Sequence, residues 1–309
     1  MLERNTVVLV GSGRSGTTWL GSILDTYERA DYYYEISKYP ELSFDSPNLL
    51  QAKYPFSYWW KNSPVWVQEW EHKILLKLHE RGKLNSIVDR SLRIRNRFRP
   101  KNSIKDVNLF KIVTPFKFAL EYGDLLRKHN DRLKVVHIIR NPFAQLVSQK
   151  KMMFGKQEPP PHAFQNSIER IMVEARFSRY HSLAKECRNG SWAEKCAFLW
   201  WVGNQTLMDE PESLQVTVLF EDLALQTLEE TERIFSFLGW QMPRETVHHI
   251  NDTIDNNESE NGQHSIRKDP SVVLGRWKKD IEEDDYLRVS RLLTDCPLMS
   301  LWTKEDLEL

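Results

Sequence analysis

The chain of 309 residues has no surplus of charge of either sign, because 43 Lys and Arg residues balance 43 Asp and Glu residues. Polyanion binders carry a clustered basic surplus, so nucleic acid is disfavoured as a partner. No apolar run approaches the roughly 18 residues of a membrane span, and the first residues lack the cationic and apolar regions typical of a signal peptide. We therefore expect a soluble, cytoplasmic protein without a membrane span.

Cysteine is also scarce. Cys187, Cys196 and Cys296 are an odd number without paired spacing, which predicts neither a disulfide framework nor a zinc site. The pair His248-His249 has no partner at a spacing typical of metal ligands, and we interpret it as structural. We expect a protein that uses no metal.

Glycine is rare but concentrated. The chain has only 12 glycines, and four of them fall within eleven residues: Gly11, Gly13, Gly16 and Gly21. Gly11, Gly13 and Gly16 follow the apolar β-branched run at residues 6–10 and precede a helical pattern at residues 17–27, which contains Gly21. Glycines between a strand and a helix let backbone N–H groups approach an anion, and the helix N-terminus adds a favourable dipole. We predict a phosphate-binding loop, with an ordinary tight turn as the alternative.

Further strands and helices alternate along the chain. Residues 133–139 and 215–220 are apolar strand candidates, and residues 192–208 and 228–238 have helical patterns. Asn141 and Pro142 suit the cap and first position of another helix. Alternating strands and helices favour an α/β fold, with one domain over residues 1–309 and a central, mostly parallel sheet flanked by helices.

The loop differs from that of a nucleotide triphosphatase or kinase. Such a loop places Lys after its second glycine, where this chain has Thr17, and the positive charge lies inside the loop as Arg14. The strand at 133–139 leads to Arg140 rather than to an Asp that would hold Mg²⁺. The pattern indicates a phosphate site without a triphosphate–metal complex. A small-molecule kinase remains an alternative.

Two segments resemble the sulfotransferases that use 3′-phosphoadenosine 5′-phosphosulfate (PAPS). GSGRSGTTWLGSILD resembles their 5′-phosphosulfate loop, and VVHIIRNPFAQLVSQ resembles their 3′-phosphate motif, in which Arg140 is followed eight residues later by Ser148. A thinner resemblance extends over VTVLFEDL, FSFLGW and LGRWKKDI. An arginine in the loop is similar to the tyrosylprotein and carbohydrate branches of the family.

The resemblance implies a set of site residues and a co-substrate, PAPS, whose product is 3′-phosphoadenosine 5′-phosphate (PAP). The residues expected to bind it are Gly13, Arg14, Ser15, Gly16, Thr17, Thr18, Arg140, Ser148, Lys268 and Arg276. The residues expected to act in catalysis are Glu35 as general base, with Arg14, Lys111 and Ser265 stabilising the sulfuryl group or the leaving oxygen. Residues 251–270 are expected to cover the cofactor. Phe220 stands where tyrosylprotein sulfotransferases have a tyrosine near the cofactor. Arg276 is expected to replace positive charge that this chain lacks near the cofactor.

Several of these roles have plainer alternatives. The alternative for Glu35 is an ordinary surface glutamate, and Glu41 is then the next candidate base. His137 is expected to be a buried strand residue rather than a base. Lys111 and Ser148 have surface roles as their alternatives. Binding of the nucleotide without any transfer also remains open.

The acceptor is less clearly indicated than the co-substrate. Residues 36–110 read as an acceptor-side insertion that holds an aromatic cluster at 54–70 and a basic ribbon at 90–101. Core packing and a solvated charged face are the commoner explanations of such patterns. We expect a hydroxyl-bearing acceptor and favour a carbohydrate or glycoconjugate, with a tyrosine or a small metabolite as alternatives. The oligomeric state is not predicted.

Overall fold

The structure is a computed structural model that describes residues 5–33, 107–112, 133–155, 157, 159–160, 163–255 and 274–309. Several sequence predictions fall on residues outside these ranges. They concern Glu35, Glu41, Ser265, Lys268, the aromatic cluster at 54–70 and the basic ribbon at 90–101. These stay predictions.

The described residues form a sheet of five parallel strands in the order β2-β3-β1-β4-β5. The strands are β1 (Asn5–Gly11), β2 (Ala30–Tyr33), β3 (Val107–Ile112), β4 (Leu133–Ile139) and β5 (Gln215–Leu219). β1 lies at the centre and pairs with β3 and β4. Parallel strands are buried on both faces, which explains why β1 and β4 are mostly apolar. The predicted α/β fold with a parallel sheet is confirmed.

Helices connect and cover the strands. Their bounds are α1 (Thr17–Leu24), α2 (Pro142–Met153), α3 (Gln165–Val173), α4 (His181–Cys187), α5 (Trp192–Met208), α6 (Phe220–Leu225), α7 (Thr227–Leu238), α8 (Arg244–Asp255), α9 (Trp277–Asp280), α10 (Glu283–Leu292) and α11 (Lys304–Leu307). Two 3-10 helices lie at Ala175–Tyr180 and Pro297–Leu301. No helix within the described ranges has the length and apolarity to cross a membrane.

The two faces of the sheet are buried against different helices. Leu9 and Ile138 belong to one apolar cluster with side chains of α1, α6 and α7. Successive side chains on a strand point to opposite faces, and His137 accordingly meets Asn204 of α5 on the other side. Both faces of the central strands are therefore covered.

Local signals account for several helix boundaries. The Asn141 side chain accepts hydrogen bonds from the backbone N–H groups of Phe143 and Ala144 at 3.0 and 3.1 Å, and Pro142 begins α2 as predicted. Ser191 and Glu194 form a capping box at the start of α5. The helix predicted at 17–27 ends earlier, at Leu24. The strand predicted at 215–220 ends at Leu219, because Phe220 already begins α6.

Candidate functional site

The carboxyl ends of four strands meet at one edge of the sheet. β1 leads into the glycine-rich loop, β3 carries Lys111 near its end, β4 leads to Arg140, and β5 leads to Phe220. The strand that follows β1 in the chain lies on one side of it in the sheet, and the strand that follows β4 lies on the other side. Ligands of open parallel sheets bind in the crevice at such a switch point. The topology therefore brings the two predicted phosphate motifs to one place.

The loop conformation requires glycine at position 16. Gly16 has φ 96°, and a Cβ atom there would lie 2.5 Å from Cδ2 of Phe220. Gly11 is similarly close to β4, since its Cβ would lie 2.6 Å from Cγ2 of Ile138. Arg14 also has a positive φ, 72°, which is rare for a residue with a side chain. The loop is therefore held tightly between α1, β4 and Phe220.

The two predicted motifs contact each other directly. Nε of Arg14 donates a hydrogen bond to Oγ of Ser148 at 3.0 Å, although the residues are 134 positions apart. Nη1 of Arg140 donates to the carbonyl oxygen of Arg14 at 2.9 Å. Arg14, Arg140 and Ser148 thus form one polar cluster at the edge of the sheet.

Arg140 is a desolvated cation with a free hydrogen-bond donor. Its Nε atom is buried and has no hydrogen-bond partner among the described residues. Burial lowers the pKa of Arg140 to about 10, while Glu221 opposes this effect and Arg14 adds to it. The guanidinium remains charged at neutral pH. A buried cation with an unused N–H next to a second arginine is a favourable environment for an anion.

Lys111 is buried beside the start of α1. Its side chain has no exposed surface, and Nζ donates to Oγ1 of Thr18 at 2.8 Å. Thr17 is buried as well, and Oγ of Ser15 is buried without a partner among the described residues. A third cation, Lys111, and the hydroxyl groups of Ser15 and Thr17 therefore lie next to the N-terminus of α1.

The Glu221 carboxylate is hydrogen-bonded to the turn after β4. Oε1 of Glu221 accepts from the backbone N–H of Asn141 at 3.1 Å, and Oε2 accepts from the indole of Trp302 at 3.1 Å. The side-chain Nδ2 of Asn141 in turn donates to the backbone carbonyl oxygen of Asp306 at 2.9 Å. Burial raises the pKa of Glu221, against the opposing effects of these hydrogen bonds and of Arg140. The segment from Trp302 to Asp306 thus clamps the turn that carries Arg140.

The position of His137 agrees with the prediction of a buried strand residue. The ring is fully buried, and Nε2 lies 2.9 Å from Oδ1 of Asn204. Burial lowers the pKa of His137 to about 4, so the ring is neutral at physiological pH. Its contact with α5 makes it a core residue.

Other predicted residues lie at the margin of this cluster. Arg276 is largely exposed and pairs with Asp280 at 3.6 Å. The adjacent Trp277 stacks on Phe143 of α2, with ring centroids 5.1 Å apart, which places α9 against the helix that carries Ser148. His249 lies 3.0 Å from Oγ of Ser22 and ties α8 to α1, in agreement with a structural role.

Phe220 has a role that the sequence did not reveal. Its ring lies under the Arg140 guanidinium at 4.5 Å and packs edge-on against Trp19 at 6.2 Å. The signal in the sequence was an aromatic residue at the end of the predicted strand at 215–220. Phe220 lacks the hydroxyl of the tyrosine that the family resemblance places at this position, and the ring itself contacts Arg140.

Comparison with known proteins identifies the family. The model of the sulfotransferase domain matches residues 4–290. Mouse sulfotransferase SULT7A1 complexed with PAP is 12% identical, with a TM-score of 0.47, over 94% of this chain and 83% of that chain. The sulfotransferase domain of the Synechococcus PCC 7002 olefin synthase is 15% identical, with a TM-score of 0.42, over 96% and 95%.

Retinol dehydratase in complex with androsterone and PAP is 15% identical, with a TM-score of 0.43, over 96% of this chain and 81% of that chain. The search among curated proteins gave no match. The family model nonetheless spans nearly the whole chain, including the loop, β4 and α2. The chain belongs to the sulfotransferase family.

Proposed function

We propose that this sulfotransferase moves the sulfuryl group of PAPS to an acceptor hydroxyl by in-line displacement. A bond forms between the acceptor oxygen and sulfur, and the bond from sulfur to the 5′-phosphate oxygen breaks. The products are the sulfated acceptor and PAP, and the hydroxyl proton passes to a general base. The observation that carries the proposal is the cluster in which Arg14 contacts Ser148 and Arg140 contacts Arg14.

The cluster fits a co-substrate with two separate phosphates. The glycine-rich loop and the N-terminus of α1 suit one phosphate, through backbone N–H groups and the helix dipole. Arg140, with its buried and unpartnered Nε, suits the second, and the Ser148 hydroxyl lies on the adjacent helix. Arg14 belongs to the loop and contacts both Ser148 and Arg140 of the second motif.

The contact between Lys111 and Thr18 supports a role for the Lys111 ammonium group in stabilising the leaving oxygen. In sulfuryl transfer, negative charge develops on the bridging oxygen as its bond to sulfur breaks. A buried ammonium group already oriented by Thr18 needs little reorganisation to stabilise that charge. Such preorganised donors are commonly the largest single contribution to catalysis.

The general base and the acceptor are proposals from the sequence. Glu35 is proposed as the base, and it lies outside the described residues. A carbohydrate or glycoconjugate hydroxyl is our favoured acceptor, and the aromatic cluster on which this preference depends is also outside them. A screen with radiolabelled PAPS against saccharides, tyrosine peptides and small alcohols tests the class of acceptor.

Calorimetric titration with PAP, compared with ATP–Mg²⁺, tests the nucleotide site. We expect Arg140→Ala to weaken PAP binding by about 10- to 150-fold, which corresponds to about 1.5–3 kcal/mol for hydrogen bonds to a charged group. Arg188→Ala is the matched control, because Arg188 is exposed and pairs with Glu169 on α3. Its PAP affinity should equal that of the wild type.

Tighter binding of ATP–Mg²⁺ than of PAP, or equal PAP affinities for Arg140→Ala and Arg188→Ala, would contradict the proposal. The small-molecule kinase would then become the better explanation. PAP binding without sulfate transfer to any acceptor class would favour a nucleotide-binding protein without catalysis.

A further inference from the structure

The peptide group that joins Arg140 to Asn141 is held from two sides, by side chains of α5 and α6. The indole N–H of Trp200 donates to the carbonyl oxygen of Arg140 at 3.2 Å. The N–H of the same peptide group, on Asn141, donates to Oε1 of Glu221 at 3.1 Å. A peptide group is planar, so fixing its oxygen and its hydrogen fixes the orientation of the whole group.

The two residues that hold this peptide group are themselves fixed. Oε2 of Glu221 accepts from the indole of Trp302 at 3.1 Å, and the rings of Trp302 and Trp200 lie with their centroids 6.0 Å apart. Trp200 is buried. One turn further along α5, Asn204 donates to the carbonyl oxygen of Trp200 at 2.8 Å and lies 2.9 Å from His137 of β4. These contacts fix the place of Trp200 beside the end of β4.

Both parts of the second phosphate motif start from this peptide group. Arg140 lies on one side of it. On the other side, the Asn141 side chain accepts from backbone N–H groups in the first turn of α2, the helix that carries Ser148. A rotation of the peptide group would therefore displace the guanidinium and the start of α2 relative to each other.

The Arg140 side chain is not anchored by an ion pair with any described residue. It donates a hydrogen bond to the carbonyl oxygen of Arg14, and its guanidinium lies over the ring of Phe220. Glu221 interacts with it through charge, but both carboxylate oxygens accept hydrogen bonds from other groups. The guanidinium charge is therefore left for an anion, and its position depends on the backbone from which the side chain starts.

We propose that Trp200 and Glu221 are positioning residues for the second phosphate of the nucleotide, and that they set how strongly the enzyme prefers a 3′,5′-bisphosphate to a 5′-monophosphate. This inference rests on the proposed function, in which Arg140 binds the 3′-phosphate. Neither residue has to contact the nucleotide, because each acts through the peptide group that carries Arg140.

The test compares, by calorimetric titration, the affinities for PAP and for adenosine 5′-monophosphate (AMP), which lacks only the 3′-phosphate. The ratio of the two affinities reports the contribution of the 3′-phosphate, because a change elsewhere in the site affects both nucleotides. We expect the wild type to prefer PAP at least about 10-fold, as hydrogen bonds to a charged group predict.

Trp200→Phe removes the indole N–H, keeps an aromatic ring and changes no charge. It should lower the ratio about 2- to 10-fold, the effect of one neutral hydrogen bond, and leave AMP affinity unchanged. Trp192→Phe is the matched control. Trp192 lies on the same helix and in the same apolar cluster, and its indole nitrogen is buried without a hydrogen-bond partner among the described residues. This variant should keep the wild-type ratio.

Glu221→Asp tests the other side of the peptide group and also keeps the charge. Its carboxylate is one methylene group shorter, so it cannot keep both the Asn141 and the Trp302 hydrogen bonds at their present lengths. The ratio should fall about 10-fold, because a hydrogen bond to a charged group is stronger than a neutral one. Melting temperatures verify folding, and if one variant does not fold, the other still tests the proposal.

A Trp200→Phe ratio equal to that of Trp192→Phe would overturn the role of Trp200, and an unchanged ratio in Glu221→Asp would overturn that of Glu221. Equal losses of PAP and AMP affinity would also contradict the proposal, since they would indicate general damage to the site. If the wild type binds PAP and AMP equally well, the proposed function itself fails, because Arg140 then holds no 3′-phosphate.

Discussion

The Arg140 guanidinium carbon lies 4.5 Å from the centroid of the Phe220 ring. The same ring occupies the space beside Gly16, where any Cβ atom would meet it at 2.5 Å. Phe220 therefore contacts both predicted phosphate motifs at once. A single ring, which follows the end of β5, thus packs against both the glycine-rich loop and the arginine of the second motif.

Replacing Phe220 by Leu should weaken PAP binding about 2- to 30-fold, because a cation–π contact of a desolvated arginine contributes about 0.5–2 kcal/mol. Phe220→Tyr keeps the ring and should bind PAP almost as the wild type does. Calorimetric titration measures both affinities. An equal loss in the two variants would show that the ring face is not what positions Arg140.

Gly16→Ala should destabilise the protein more than the same change at another left-handed glycine. Gly239 ends α7 at φ 73° with open space around its Cβ position, so its alanine variant should lose about 1–2 kcal/mol from backbone strain alone. Gly16→Ala adds the clash with Phe220, which costs about 1–3 kcal/mol more. Urea unfolding of the two variants measures the difference, and equal losses would contradict the contact.

Lys111→Met should lower kcat about 100-fold if Lys111 stabilises the leaving oxygen, as removal of one preorganised donor typically does. The methionine side chain is apolar and similar in length to lysine, so the buried site stays filled. Activity with radiolabelled PAPS measures kcat, and PAP titration separates binding from catalysis. A loss of PAP affinity with kcat unchanged would instead place Lys111 in nucleotide binding.

Glu35→Gln should lower kcat by about 10²–10⁴-fold and leave PAP affinity unchanged, because it removes the proposed base and no phosphate contact. Glu41→Gln is the matched control, since Glu41 is the next candidate in the same segment. If Glu41→Gln loses the activity and Glu35→Gln keeps it, the role of base moves to Glu41.

His137 predicts a pH dependence of stability. Its pKa is about 4 in the folded protein and about 6.5 when unfolded, so the unfolded chain binds the proton more readily. The free energy of unfolding should therefore be constant above about pH 6.5 and fall by about 3 kcal/mol as the pH drops towards 4. In His137→Gln this part of the slope should disappear.

The matched control is His248→Gln, because His248 is an exposed side chain on α8. Urea unfolding at a series of pH values should give the wild-type slope for this variant. A wild-type slope in His137→Gln as well would assign the pH dependence to other groups.

Local sequence signals predicted the elements that local forces determine. The apolar run at β4 and the Asn141-Pro142 start of α2 were both found from the sequence, because burial and capping act within a few residues. The order of the strands was not predicted, since it depends on pairing between distant segments. The end of β5 was placed one residue late because Phe220 is apolar and continues the strand pattern, whereas its ring is held by α1 and Arg140.

The candidate site likewise has parts that could be predicted from the sequence and parts that could not. The loop and the Arg140–Ser148 spacing carry a signal in the sequence, because their backbone geometry is local. The bond from Arg14 to Ser148 joins residues 134 positions apart, and Ser148 was expected only to meet a phosphate. The clamp from Glu221 through Asn141 to Asp306 had no signal, since each member is common in loops and caps.

That clamp affects how the enzyme should be handled. Proteolytic trimming before Trp302 would remove the indole that Glu221 accepts from and the carbonyl that Asn141 donates to. The buried Glu221 would then keep the hydrogen bond from the Asn141 backbone and the charge interaction with Arg140, and the turn leading to Arg140 would lose its outer support. Preparations trimmed at this end should bind nucleotide more weakly without any change in the nucleotide-contacting residues, so intact mass should be verified before affinities of different batches are compared.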